Sequence, residues 1–189
     1  MSQYHKLYTP QDSAIVFIDH QPQMLFGVAN ADRAALINNV TLLARVAKEF
    51  NVPAVLTAVE TESFSGLLDV FPGQAVVERS SMNSWDDAGF RKAIEATGKK
   101  NIVMTGLWTE VCVTWPTIEM LGAGFNIYVV EDCCGGCFIR RRISKIFSNP
   151  DPTFRPTWKP NSKMSCHCWL RTSGRSACTR PMTKGSRVS

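Results

Sequence analysis

Residues 101–113 read NIVMTGLWTEVCV. The run from 101 to 106 is apolar and rich in strand-forming residues, as a buried parallel strand would be. Polar character then returns at Trp108, Thr109 and Glu110, and a second apolar stretch opens around Cys112. This is a strand passing directly into a helix. Thr109 is expected to cap that helix, which carries Cys112 in its first turn, runs on to Gly122 and Gly124, and should kink at Pro116.

The same grammar extends outward in both directions. Downstream, residues 126–130 form another strand, closed by the charged pair Glu131 and Asp132. Upstream, a helix over about residues 86–97 ends at Gly98, with Lys99 and Lys100 near its negative end. Before it, a short strand over 75–78 leads to Arg79, and residues 60–74 read as a loop containing Ser63, Ser65, Gly66, Pro72 and Gly73. Pro53 opens a strand over 54–59. Residues 31–50 place Leu36, Val40, Leu43, Ala47 and Phe50 at helical spacing, giving one apolar face. The first strand, 14–18, ends in Asp19 and His20.

Strands alternating with helices predict an α/β fold, a doubly wound, Rossmann-like parallel sheet with helices on both faces and strand order 3-2-1-4-5. In such sheets ligands bind beyond the carboxyl ends of the strands, where the strand order reverses. Asp19, Arg79 and Cys112 all fall at that edge, with the first and fourth strands flanking the crevice. A thiol in the first turn of a helix is expected to ionise more easily because of the helix dipole. Asp19 is then the candidate general base and Arg79 the charge that steadies the pair. Each residue also has a plain structural reading: Cys112 as a small core residue, Asp19 as a turn former, Arg79 as half of an ion pair with Glu78. His20, Phe64 and Trp85 are candidates for the substrate pocket, as is Trp108, although His20 can equally bond locally and the aromatics can be core. His20 with Glu60 and Glu62 lacks metal-ligand spacing, so neither a metal nor a cofactor is expected.

The stretches AIVFIDHQ (14–21), PAVLTAVE (53–60), ERSSMNSWDD (78–87) and IVMTGLWTEVCV (102–113) resemble the isochorismatase-like cysteine hydrolases, especially their YcaC-like subgroup. The resemblance covers about residues 8–136. It implies a hydrolase of a small amide or related C–N or ether substrate, working through an acid, a cation and a cysteine that correspond here to Asp19, Arg79 and Cys112. It also implies a non-proline cis peptide near Trp108 and Thr109 that shapes an oxyanion hole, and assembly as a homo-oligomer. Three departures stand out: Arg79 replaces the lysine of the wider family, the step from residues 63–66 into 67–73 is several residues shorter than in relatives, and the sequence after the fifth strand does not match.

That last departure sets the domain reading. Residues 1–132 form the hydrolase domain, with nine Lys or Arg against fifteen Asp or Glu, net −6. Residues 133–189 carry twelve basic residues against one acid, net +11, and six of the seven cysteines. This basic, Cys/Pro-rich stretch, opening CCGGCFIRRRISKIFSN, reads as a disordered or out-of-frame tail that has lost the family's sixth strand. A charge split of this kind also describes a basic arm for nucleic acid, or a metal site built from Cys133, Cys134, Cys137, Cys166, His167 and Cys168. The cysteine spacing does not follow the paired zinc pattern, and we expect neither a nucleic-acid nor a membrane partner. A polar opening and no long apolar run place the protein in the cytoplasm. A chain without the sixth strand also admits a second reading, an inactive relic of the family.

Overall fold

The computed structural model describes residues 8–60 and 67–137. Within them, five strands form one parallel sheet in the order β3-β2-β1-β4-β5, as the alternation of elements predicts. The central strand β1 (Ser13–Ile18) is buried along its whole length, which is why it reads as an unbroken apolar run. It pairs with β2 (Ala54–Val59) on one side and β4 (Asn101–Leu107) on the other. The short outer strand β3 (Val76–Arg79) ends with Arg79 in register with Val59, so Arg79 is the last residue of the strand and not the one after it.

The other edge, β5 (Asn126–Gly135), runs well past residue 130. It pairs with β4 regularly from Asn101↔Asn126 to Met104↔Val129, is irregular beyond that, and rejoins at Gly106↔Cys134. Glu131 and Asp132 lie exposed in this bulged part, and Cys133 and Cys134 return to the interior. Two charged residues that look like a strand end are therefore a detour in a longer strand. Most of the basic stretch, from residue 138 onward, lies outside the described residues, as do Phe64, Cys166, His167 and Cys168.

Helix α1 (Pro22–Phe26) follows β1, and α2 (Arg33–Glu49) starts at Asp32, whose carboxylate accepts the Ala35 N–H at 2.7 Å. Leu36, Val40, Ala44 and Ala47 turn inward and pack on Ile15, Phe17 and Leu56 of the sheet. Phe50 does not join them: it is the residue after the last helical turn and is 59% exposed. A single turn, α3 (Leu67–Val70), precedes β3. Asp86 closes a 3-10 turn (Ser84–Asp86), so α4 (Ala88–Ala96) begins later than the sequence suggests, with Asp87 accepting the Phe90 N–H at 2.8 Å. Pro116 is the third residue of α5 (Thr114–Gly122), which continues directly from a wider helical turn. Between β4 and α5 the chain forms one wide π-type turn, Thr109–Val113, and that turn carries Cys112.

Candidate active site

Asp19 follows β1 with φ at +53°, a left-handed conformation that Asp tolerates better than most residues. Its N–H donates to the Thr57 carbonyl at 2.9 Å, and its own carbonyl accepts the Gln21 N–H at 2.7 Å. These bonds hold the turn, so the carboxylate has one direction to point. One oxygen receives Nη2 of Arg79 at 2.6 Å, and the other receives the Val59 N–H at 3.1 Å. The Cys112 thiol is the third neighbour, near enough to the same carboxylate for each to shift the proton affinity of the other. The three residues singled out in the sequence thus meet around one carboxyl group, with Asp19 and Cys112 fully buried and Arg79 nearly so.

Arg79 is fixed at every nitrogen. Nε donates to the Thr57 hydroxyl at 3.2 Å, Nη1 donates to the Ser81 carbonyl, and Nη2 donates to Asp19. The Thr57 hydroxyl in turn donates to the Val77 carbonyl at 2.8 Å. Arg79 is therefore an internal counter-charge, with no arm left to reach outward, and it does not pair with Glu78. Thr57 is the residue that sequence reasoning missed. Its signal was a hydroxyl in the middle of the apolar strand AVLTAV, because a buried hydroxyl needs a partner.

The electrostatics depart from expectation. Burial raises the Asp19 carboxyl from its ordinary value, while Arg79, Cys112 and the Val59 N–H pull it back. Burial also pushes the Cys112 thiol well above its ordinary value, and the charge of Asp19 adds to this; Arg79 and the Trp108 backbone oppose it. Burial first, and the charge of Asp19 second, therefore work against the ionisation that a helix start would favour.

Thr109 does not cap the helix either. The capping position belongs to Trp108, and the Thr109 carbonyl instead accepts the Thr114 hydroxyl at 2.6 Å. The peptide bond between Leu107 and Trp108 is cis, and the N–H groups of Val111 and Cys112 both donate to the Trp108 carbonyl, at 3.1 and 2.9 Å. The Trp108 indole N–H donates to the Met24 carbonyl at 2.8 Å, fastening the turn to α1. Glu110 fastens its other side, accepting the Cys137 N–H at 2.6 Å.

The other pocket candidates separate. His20 is buried and bonds through Nε2 to the Thr105 hydroxyl at 3.0 Å; because that hydroxyl donates to Val16, the ring proton is assigned to Nε2. Burial lowers the His20 pKa to about 3, so the ring is neutral. It also lines a cavity of about 250 Å³, with Gln21, Leu25, Val40, Leu67 and Leu107 among its other walls. Asp19, Arg79 and Cys112 do not line this cavity, and neither does Trp85, whose ring packs edge-on against Phe90 and Phe125. Among the described residues no group of three or more His, Cys, Asp or Glu side chains is placed to hold a metal ion, and no helix is long and apolar enough to cross a membrane.

Fold and side chains together define a doubly wound α/β protein with an acid, a guanidinium and a thiol at its switch point. Residues 13–142 match the isochorismatase domain model, and the chain belongs to the isochorismatase family. It is 36% identical over 130 residues to the probable hydrolase YcaC of Escherichia coli strain K12, covering 66% of this chain and 62% of that protein, so it spans less than two thirds of that relative's length. YcaC from Pseudomonas aeruginosa, solved with hexane-2,5-diol and covalent acrylamide, shares the fold at a TM-score of 0.69 and 35% identity, over 72% of this chain and 70% of the other. The YcaC gene product of Escherichia coli, described as an octameric hydrolase of unknown specificity, gives 0.68 and 34% over the same shares.

Proposed function

We propose that this protein is a YcaC-like hydrolase of small amides or related C–N or ether compounds, with Cys112 as nucleophile, Asp19 as general base and acid, and Arg79 as a fixed electrostatic support. The observation that carries this reading is the Asp19 carboxylate held between the Arg79 guanidinium, 2.6 Å away, and the Cys112 thiol. Asp19 takes the thiol proton as sulfur attacks the substrate carbonyl, so a thiol whose proton burial holds more tightly has a base beside it. The oxyanion that forms is held by backbone N–H groups of the turn that begins at Trp108 and Thr109. Val111 and Cys112 already donate to Trp108, so the first donors of the turn carry this task.

Asp19 then returns its proton to the departing amine, leaving a thioester on Cys112. Water attacks that thioester, Asp19 accepts a proton from the water, and the thiol is restored as the acid leaves. The sum is amide plus water giving acid plus amine. A guanidinium does not serve as a proton carrier, so the part of Arg79 is to keep Asp19 in place and stabilise its charged form. The covalent acrylamide of the Pseudomonas relative supports the reading, since an electrophile bearing an amide has there been captured. The octameric Escherichia coli relative supports assembly of this chain with copies of itself. Nothing in this chemistry needs a nucleic acid, and a small-molecule substrate in the cytoplasm suits it.

Acrylamide labelling read by intact mass and peptide mapping tests the assignment. Cys112 is expected to be modified at neutral pH, Cys112→Ala to remove that adduct, and Asp19→Asn to slow it by about 100-fold, the lower range for a lost general base. Labelling that passes over Cys112, or proceeds equally fast in Asp19→Asn, sinks the reading.

A further inference from the structure

We propose that a second copy of this chain docks on the outer edge of β5 and the adjoining flank of α2, the two β5 strands running antiparallel about a two-fold axis at Tyr128. The proposal rests on the self-association put forward above and names the surface that performs it.

The edge comes first. The Asn126 N–H donates inward to the Lys100 carbonyl at 2.8 Å, so alternate residues Asn126 and Tyr128 direct their backbone groups at β4. Ile127 and Val129 direct theirs outward, and among the described residues no strand lies beyond β5. An edge with open donors and acceptors is a template for another strand. The bulge past Val129 confines regular pairing to Asn126–Val129, enough for Ile127 and Val129 each to bond the other across the axis.

The flank of α2 supplies the apolar part. Asn39 donates to the Asp132 carbonyl at 3.1 Å, which pins that side of α2 to the late part of β5. Leu42, Val46 and Phe50 follow Asn39 at helical spacing on the same side, and they are 64%, 43% and 59% exposed. The helix runs opposite to the strands. Phe50, just past the end of α2, therefore lies toward the early end of β5. Tyr128, 61% exposed, shares a strand face with Val130, which packs against the α2 side of the core. Tyr128 and the three α2 side chains thus form one apolar strip along the last strand of the described sheet.

Charge selects the occupant. The late end of the edge is acidic, with Glu131 and Asp132 exposed, and the early end is basic, with Lys100 over the Phe125 ring at 4.3 Å. A two-fold axis at Tyr128 sets the acidic late end of each edge toward the basic early end of the other. The edge is complementary to itself. The stretch after residue 137, with twelve basic residues and one acid, matches only the acidic end.

Sedimentation of the full-length protein over a range of concentrations gives the test. Wild type is expected to associate reversibly, Lys100→Glu to weaken that association about tenfold or more, and Lys100→Glu combined with Glu131→Lys to regain it. Tyr128→Cys is expected to form a cross-link between two copies at position 128 on oxidation, located by mass spectrometry. An antiparallel pair of this kind holds its Cα atoms about 4.5 Å apart, within disulfide reach. A wild type that stays monomeric overturns both the interface and the self-association it rests on; protected amides at Ile127 and Val129 in that monomer would give the edge to the chain's own later residues. An assembly indifferent to the charge changes and without the cross-link overturns the interface alone.

Discussion

Replacing Arg79 by methionine keeps much of the side-chain volume but strands a buried carboxylate. Asp19 then loses the cation 2.6 Å away while remaining fully buried. Breaking a buried pair from one side costs about 3–5 kcal/mol, because the remaining charge is neither solvated nor matched. Urea denaturation of Arg79→Met should show that loss, and Arg79→Lys a smaller one, since lysine keeps a charge but cannot reproduce the three-way fork to Thr57, Ser81 and Asp19. A change within 1 kcal/mol for Arg79→Met would mean that Asp19 is already neutral in the folded protein. At this scale the sequence was informative about identity and silent about state. Residues at three strand ends could be named because strand order places strand ends together. The upward shift of the Cys112 thiol could not, because burial and the facing carboxylate cause it, and neither is visible along the chain.

The nucleophile turn depends on how closely β4 approaches its neighbours. Gly106 is the residue that allows it: a Cβ there would sit 2.8 Å from Cβ of Ile18, 2.8 Å from Cγ2 of Val113 and 2.9 Å from the Ile18 carbonyl. Two of these neighbours are branched side-chain carbons near the backbone and the third is backbone, so none can swing aside. Gly106→Ala must then push the Thr109–Val113 turn away from β1, at a cost of about 1–3 kcal/mol for overpacking. Acrylamide labelling of Cys112 in this variant should become slow and less dependent on Asp19, because the thiol and carboxylate part. Equal labelling rates in Gly106→Ala and wild type would show that the turn adapts without moving Cys112. Element types were legible here wherever one physical pattern ruled: a buried parallel strand is a continuous apolar run, and α2 shows its stripe. Ends were less legible. Asp86, Asp87 and Thr109 are all good cap residues, and only the path of the chain decides that Asp87 caps while Asp86 turns and Thr109 does neither.

For the whole molecule, the cysteines after residue 132 had suggested material foreign to the domain, but Cys133 and Cys134 are buried in β5. A charged detour of two residues hid the continuation of the strand to Gly135. The burial has a consequence for stability at high pH. Burial raises the Cys134 thiol from 9.0 to about 12, and the backbone bond to Gly106 only partly offsets it; Cys112 is raised as well. Below pH 9 both states keep these protons and the thiols leave the balance unchanged. Above pH 9 the unfolded chain releases protons that the folded chain retains, so stability falls as pH rises, by about 1.4 kcal/mol per pH unit for each such thiol. Urea midpoints measured from pH 8 to 10.5 should therefore drop steeply once pH 9 is passed. Cys133 is raised to about 12 as well, so Cys134→Ala should flatten that slope by one thiol's share while leaving the fall due to Cys133 and Cys112. A slope that Cys134→Ala leaves unchanged would mean that Cys134 is open to water, and that β5 ends where its charged residues first suggested.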